Sequence, residues 1–230
     1  MSAFAYIDEN LARIRTAAEA AAASSPYGQD YDILLATKYA TAEEINYAHS
    51  LGIRKIGENR VQSLLEKYDK LDKDDLEIHF IGTLQKNKVK YVIDKVSMIE
   101  SLDSLSLAEE IEKQAAKRDI VMDCLIEVNI GDEEAKGGIA KGDVLAFADA
   151  LDRFPHIRVV GLMTMAPKCT EIDEYRKYFR ESYHIFIDIC EKKLHNIHRC
   201  TLSMGMSESF PVALQEGANL IRVGRAAFQK

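Results

Sequence analysis

Asp32-Ile-Leu-Leu-Ala-Thr-Lys38-Tyr-Ala-Thr41 is a short apolar run that ends on a lysine. It is too short and too apolar for a surface helix, and it reads as a strand buried on both faces. Three residues past the lysine, Thr41-Ala-Glu-Glu44 has the form of a capping box, the reciprocal pattern that opens a helix. Lys38 therefore falls on a tight turn at the carboxyl end of the first strand, where parallel α/β folds bind ligands. A lysine beside a dry core, with cations nearby, can have a depressed pKa and attack aldehydes as the neutral amine. Taken alone, such a lysine is far more often the solvated lysine of an ordinary loop.

Working outward, the same alternation repeats. Before the run, Phe4 to Ala23 carries apolar residues at helical spacing (Phe4, Ile7, Leu11, Ile14), which predicts a leading helix within residues 1–24, packed across the bottom or side of the fold. After it come a helix from Ala42 to Ser50 stopped by Gly52, a strand Ile53 to Asn59 and a helix Val61 to Leu71. Further strands are expected at Glu77–Gly82, Ser97–Ser101, Val121–Asn129, Arg158–Met163, Arg199–Met204 and Asn219–Val223. Asp103 or Ser104 caps a helix that runs to about Lys117, and a long helix spans about Glu171 to Lys193. No Pro/Gly/Ser-rich linker and no shift of composition interrupts the series. About eight strand–helix units in one chain predict a single (β/α)8 TIM barrel over residues 1–230. A doubly wound open sheet is the alternative, but no G-x-G-x-x-G turn follows the first strand.

Composition narrows the function. The 230 residues are 47% hydrophobic and 29% charged, which suits a folded domain, and the net charge of -7 gives no global basic field for nucleic acid. No apolar run approaches a membrane span and no cationic leader precedes one, so a cytoplasmic protein is expected. The four cysteines are scattered without a C-x-x-C pair, which argues for reduced thiols and no metal framework.

In a barrel, the strand-end residues face one mouth: Lys38, Glu58 and Asn59, His79 and Gly82, Asn129, Met163, Ser203 to Ser207, and Arg222 to Arg225. Barrels commonly bind phosphate on the loops after strands seven and eight. Here these read Ser203-Met-Gly205-Met-Ser207 and Arg222-Val-Gly224-Arg225, with glycines that admit an anion and Ser207 as a helix N-cap with a hydroxyl to spare. Each glycine alone is a turn glycine; the two together, opposite a strand-end lysine, suggest a phosphorylated aldehyde such as pyridoxal phosphate. Arg222 is the candidate partner of the ring nitrogen: permanently cationic, it can donate to an unprotonated nitrogen but cannot stabilise a protonated one. A surface arginine at a strand end is the plain alternative. Other constellations fail. Gly205-Met-Ser207-Glu-Ser209 lacks the second glycine of a nucleophile elbow, His195 and His198 have no further metal ligand beside them, and there is no P-loop. His79 within a strand reads as a satisfied core histidine, and Lys136 sits in a glycine-flanked loop.

Ala36-Thr-Lys38, Gly57-Glu-Asn59-Arg-Val-Gln62, His79 to Lys88, Lys136-Gly-Gly-Ile139, Gly161 to Pro167, Leu202-Ser-Met-Gly-Met-Ser207 and Arg222-Val-Gly224 together resemble the pyridoxal 5′-phosphate homeostasis proteins, in order and over essentially the whole chain. The resemblance implies a barrel like the N-terminal domain of alanine racemase, with pyridoxal phosphate held as a Schiff base on Lys38. It further implies Arg222 at the pyridine nitrogen, Ser207, Gly224 and residue 225 at the phosphate, and Asn59, Ser203 and Met204 lining the pocket. One departure stands out: Arg225 occupies the position where the family usually has a threonine, so the backbone N–H survives and the hydroxyl does not. Tyr39 after the lysine is also less usual.

The family is known for vitamin B6 and amino-acid homeostasis without established catalysis. In alanine racemase the second base is a tyrosine from an additional β-domain of the other subunit, and this sequence ends at Lys230 with no such domain. The expectation is therefore a carrier with no catalytic residues and no metal, passing cofactor to apo-enzymes through an open mouth. It would bind neither nucleic acid nor membrane and would be a monomer, since no apolar patch is evident. The competing readings are a small racemase or lyase on the same cofactor, and an interaction module that never binds it.

Overall fold

The computed structural model describes residues 3–133, 137–191 and 200–230. Its centre is a closed parallel barrel. The strands are β1 (Asp32–Ala36), β2 (Lys55–Glu58), β3 (Glu77–Phe80), β4 (Met98–Leu102), β5 (Met122–Asn129), β6 (Ile139–Ala140), β7 (Ile157–Thr164), β8 (Thr201–Ser203) and β9 (Leu220–Val223). All strands except β6 form the wall: β1 pairs with β2 on one side and β9 on the other, and β4 pairs with β5 to complete the ring. Leu34 and Leu35 of β1 point in opposite directions and both are buried, one in the barrel and one under the helices. The run is apolar without alternation because neither face meets water.

Helices α1 (Ala5–Ala23), α2 (Ala42–Ser50), α3 (Val61–Tyr68), α4 (Val89–Val92), α5 (Leu105–Ala116), α6 (Val144–Leu151), α7 (Glu174–Glu191), α8 (Phe210–Gln215) and α9 (Arg225–Phe228) surround the wall. The capping box is present: the Thr41 hydroxyl accepts from the Glu44 amide, and the Glu44 carboxylate accepts from the Thr41 amide. Gly52, at φ +91°, ends that turn in the left-handed region open to glycine. Ser104, rather than Asp103, caps α5. The leading helix lies on the side of the barrel against α2, α8 and α9, burying Ile7, Leu11, Ile14, Ala18 and Ala21. Each fully buried Leu or Ile of that stripe stabilises the fold by ~1.5–3 kcal/mol. Asn10, buried on the same face, donates its side-chain amide to the carbonyls of Ala227 and Gln229 and so joins the first helix to the last.

The interior is filled in two ways. Leu34, Ile81 and Leu220 form one apolar plug, and Leu125, Val160 and Met163 another. Gly57 lies between Leu34 and Ile81, whose atoms would come within 2.6 and 2.8 Å of any Cβ there. Gly161 holds φ +142°, and a Cβ on it would stand 1.9 Å from the carbonyl oxygen of Thr201, so the approach of β7 to β8 requires glycine.

The structure differs from the sequence expectation at several ends. Strand β1 ends at Ala36, its ladder to β2 closing with the Thr37 amide on the Gly57 carbonyl, and Lys38 stands two residues beyond it. Helix α3 ends at Tyr68, not Leu71, and α7 begins at Glu174, not Glu171. The two-residue strand β6, unexpected from the sequence, adds to β5 after its long loop. Lys136, His195, His198 and the start of the seventh expected strand at Arg199 lie outside the described residues.

Candidate functional site

At the carboxyl ends of the barrel strands lies a cavity of about 740 Å³. Lys38, Asn59, Ser207, Arg222, Gly224 and Arg225 all line it, so four separate turns of the chain bring the predicted residues to one place. Met206 of the seventh loop lines it too, and Ile81, Met165 and Tyr175, which the sequence did not assign to the mouth, complete the wall. Two glycines let the turns approach closely here. A Cβ on Gly224 would meet the Ala36 carbonyl at 3.0 Å, and one on Gly82 would stand 2.3 Å from the Asn59 carbonyl.

Arg222 forms the floor. It is 4% exposed, and its guanidinium donates from Nη1 to Ser203 Oγ (2.7 Å) and from Nη2 to the Thr164 carbonyl (2.9 Å). Burial pulls its pKa down, while Glu100 and Glu127 push the other way. Below it, Ser203 donates to Glu100 Oε2 (2.6 Å), and Glu100 Oε1 accepts from His79 Nδ1 (2.6 Å). Burial opposes the charge on Glu100, but the His79 hydrogen bond, the charges of His79 and Arg222, and Ser203 together hold its pKa below the usual value. Burial likewise opposes protonation of His79, yet its hydrogen bond to Glu100 and the nearby Glu77 carboxylate raise its pKa overall.

Two expected pocket residues therefore sit elsewhere. Ser203 and Met204 are fully buried and do not line the cavity: Ser203 lies beneath Arg222, and Met204 belongs to the core behind the wall. Strand parity moves two more. Glu58 points outward, where it accepts from Thr37 Oγ1 (2.6 Å) and Ser63 Oγ (3.0 Å) and pairs with Lys67, and Met163 belongs to the interior plug. His79 is buried in the barrel core, but only half satisfied there: Nδ1 is bonded to Glu100, while Nε2 has no hydrogen-bond partner among the described residues. Ser207 is not the cap of α8, which follows Ser209; its hydroxyl instead accepts from the Ala226 amide (3.3 Å) and so ties the seventh loop to the eighth.

Lys38 and Arg225 stand on the rim. Lys38 is exposed rather than set in a dry core, its ammonium 4.8 Å from the centre of the Tyr39 ring. A hydrogen bond to Lys38 and its charge lower the Tyr39 pKa. Arg225 pairs with Glu208 at 3.0 Å, both largely in water. The outstanding residue missed from sequence is Glu100, and its signal is an acid in the middle of the apolar strand Met98-Ile-Glu-Ser-Leu102.

The donor set is a primary amine at the rim, a fixed guanidinium on the floor, and a hydroxyl beside a glycine at the loop pair. It can take an aldehyde, a ring nitrogen and an anion in one ligand.

Residues 5–229 match the model of the alanine racemase N-terminal domain. The chain is 41% identical over 221 residues to the pyridoxal phosphate homeostasis protein of Aquifex aeolicus, spanning 96% of both. Its fold superposes on PipY of Synechococcus elongatus with pyridoxal phosphate bound, with a TM-score of 0.82 and 29% identity over 96% of this chain and 99% of that one. It also superposes on alanine racemase of Clostridium difficile, with a TM-score of 0.77 and 15% identity over 96% of this chain and 56% of that one, a likeness of fold alone. The chain belongs to the alanine racemase N-terminal-domain family, among the pyridoxal phosphate homeostasis proteins.

Proposed function

We propose, with that family membership as the premise, that the chain holds pyridoxal phosphate in the barrel mouth and serves vitamin B6 and amino-acid homeostasis as a cytoplasmic carrier. When bound, the cofactor supplies an aldehyde that condenses with amines and a ring that withdraws electrons. The residues divide the work. Lys38 offers the amine at the open rim, and Arg222 donates toward the ring nitrogen from the floor. Ser207, Gly224 and the backbone of residue 225 receive the phosphate, with Asn59 alongside. Gly224 lets the anion approach where a side chain would meet Ala36. Ser203 acts from below, on Arg222, and Met204 shapes the core behind it. The Arg225 guanidinium is held by Glu208, so the backbone at that position carries its contribution.

The observation that carries this reading is that Lys38, Arg222 and the Ser207–Gly224 pair line a single cavity. The test is the visible absorption of protein mixed with pyridoxal phosphate, before and after borohydride, with peptide mapping. A yellow band whose reduced adduct maps to Lys38, and which Lys38→Ala abolishes, is expected. No band, or an adduct scattered over several lysines, overturns the reading. Carrier rather than catalyst is supported by the relative's name as a homeostasis protein. Rapid, Lys38-dependent deuterium exchange at the α-carbon of L-amino acids would contradict it.

A further inference from the structure

The hydrogen bonds under Arg222 continue past Glu100 to the opposite end of the barrel. Among the described residues His79 Nε2 has no hydrogen-bond partner; it is buried 3.6 Å from Glu77 Oε2, and Glu77 Oε1 meets Lys55 Nζ at 2.6 Å. Arg222, Glu100, His79, Glu77 and Lys55 thus alternate in sign along the barrel axis, contributed by β9, β4, β3 and β2, with Ser203 of β8 between the first two.

The serine sets the polarity. It has one proton, and with the Arg222 guanidinium able only to donate, that proton goes to Glu100. Glu100 then accepts from Ser203 on Oε2, and with its own pKa held down and that of His79 held up it accepts from His79 Nδ1 on Oε1 as well, which is the arrangement of a carboxylate. All four side chains are within 4% of complete burial, so a change of charge at Glu100 is transmitted with little screening. Arg222 would otherwise be a cation in a dry floor with only neutral oxygens for partners.

We infer that Glu100, acting through Ser203, is the positioning residue that fixes Arg222 and sets the potential at the cavity floor, and that His79 fixes Glu100 in turn. The inference rests on the cofactor reading of the cavity. The other charged groups near this axis are Glu127 and Asp103 by the mouth, and Asp32 beside Lys55 at the far end.

Glu100→Gln and His79→Asn test it, because they change the charge of the axis in opposite directions. Glutamine can still accept from Ser203, and because Glu100 lies nearer Arg222 than His79 does, the floor loses negative charge even where His79 gives up its proton to accept from the amide. Asparagine can still donate to Glu100 from the place of Nδ1. The readouts are the dissociation constant for pyridoxal phosphate and the pH at which its visible band interconverts. Glu100→Gln leaves the floor more positive, so the transition should fall by about one pH unit, with at least about tenfold weaker binding. His79→Asn leaves it more negative, so the transition should rise. Structural damage alone does not give shifts of opposite sign.

A normal band in the unsubstituted protein with unmoved transitions in both variants, or shifts of the same sign, overturns this inference alone. No band in the unsubstituted protein overturns the cofactor reading and the inference with it. Should Glu100→Gln fail to fold, the direction of the His79→Asn shift decides.

Discussion

The floor and the rim of the cavity are built on different terms. On the floor, Arg222, Ser203, Glu100 and His79 are buried, and each is bonded at 2.6–2.9 Å to a neighbour on another strand. On the rim, Lys38, Tyr39 and Arg225 are exposed, Lys38 over the Tyr39 ring and Arg225 against a solvated carboxylate. A buried charge that loses its partner costs several kcal/mol, whereas a solvated one costs little. The floor therefore tolerates one arrangement and the rim tolerates many. That division suits a site that must fix one end of a ligand and admit or release it at the other.

Three substitutions probe the contrast. Gly161→Ala should break the wall of the floor outright. Its methyl group would need the space of the Thr201 carbonyl at a φ that L-residues avoid, so a loss above ~3 kcal/mol in urea unfolding, or no folded protein, is expected.

Glu127 sharpens the contrast. It is a buried carboxyl of the barrel wall that takes no hydrogen bond among the described residues, and its pKa is raised from 4.5 to about 7 by burial first and by Asp103 second, against the pull of Arg222. An acid whose folded pKa exceeds its unfolded one weakens the fold as pH rises from the unfolded value to the folded one. Glu127→Gln should therefore be close to neutral below pH 4.5 and stabilise by up to ~3 kcal/mol above pH 7, measured as unfolding free energy across that window. A gain independent of pH would show that Glu127 is not held protonated. The smallest effect belongs to the rim: Glu208→Gln frees Arg225 and should change stability by less than ~0.5 kcal/mol.

Much of this was legible in the chain. The barrel strands read as short apolar runs because both of their faces are dry, and the capping box and Gly52 fixed α2 to the residue. Lys38, Arg222 and Gly224 could be placed at one mouth because a parallel barrel leaves strand ends no other choice. Depth and parity were harder. Whether Glu58 or Asn59 faces the cavity depends on where the pleat starts, and Glu58 is turned out by Lys67, Ser63 and Thr37, contacts that no local pattern encodes. Ser203 was assigned to the pocket by resemblance, and its bonds to Arg222 and Glu100 hold it beneath the floor instead. The dry setting expected for Lys38 failed because β1 ends two residues early and carries the amine into water. The pairing of Arg225 with Glu208 joins two loops across 17 residues, and it decides what the unusual residue at that position does.

The clasp of Asn10 on Ala227 and Gln229 has a consequence in time. These bonds span more than 210 residues, and β1 cannot complete its ladder until β9 arrives beside it. On the ribosome the Lys38 turn is therefore made early and waits, unlatched, through the synthesis of nearly all the other strands. Arg222 and Gly224 reach it with the last barrel strand, so the nascent chain gains its cavity in one late step, and a message truncated before β9 yields an open sheet edge rather than a weaker binder.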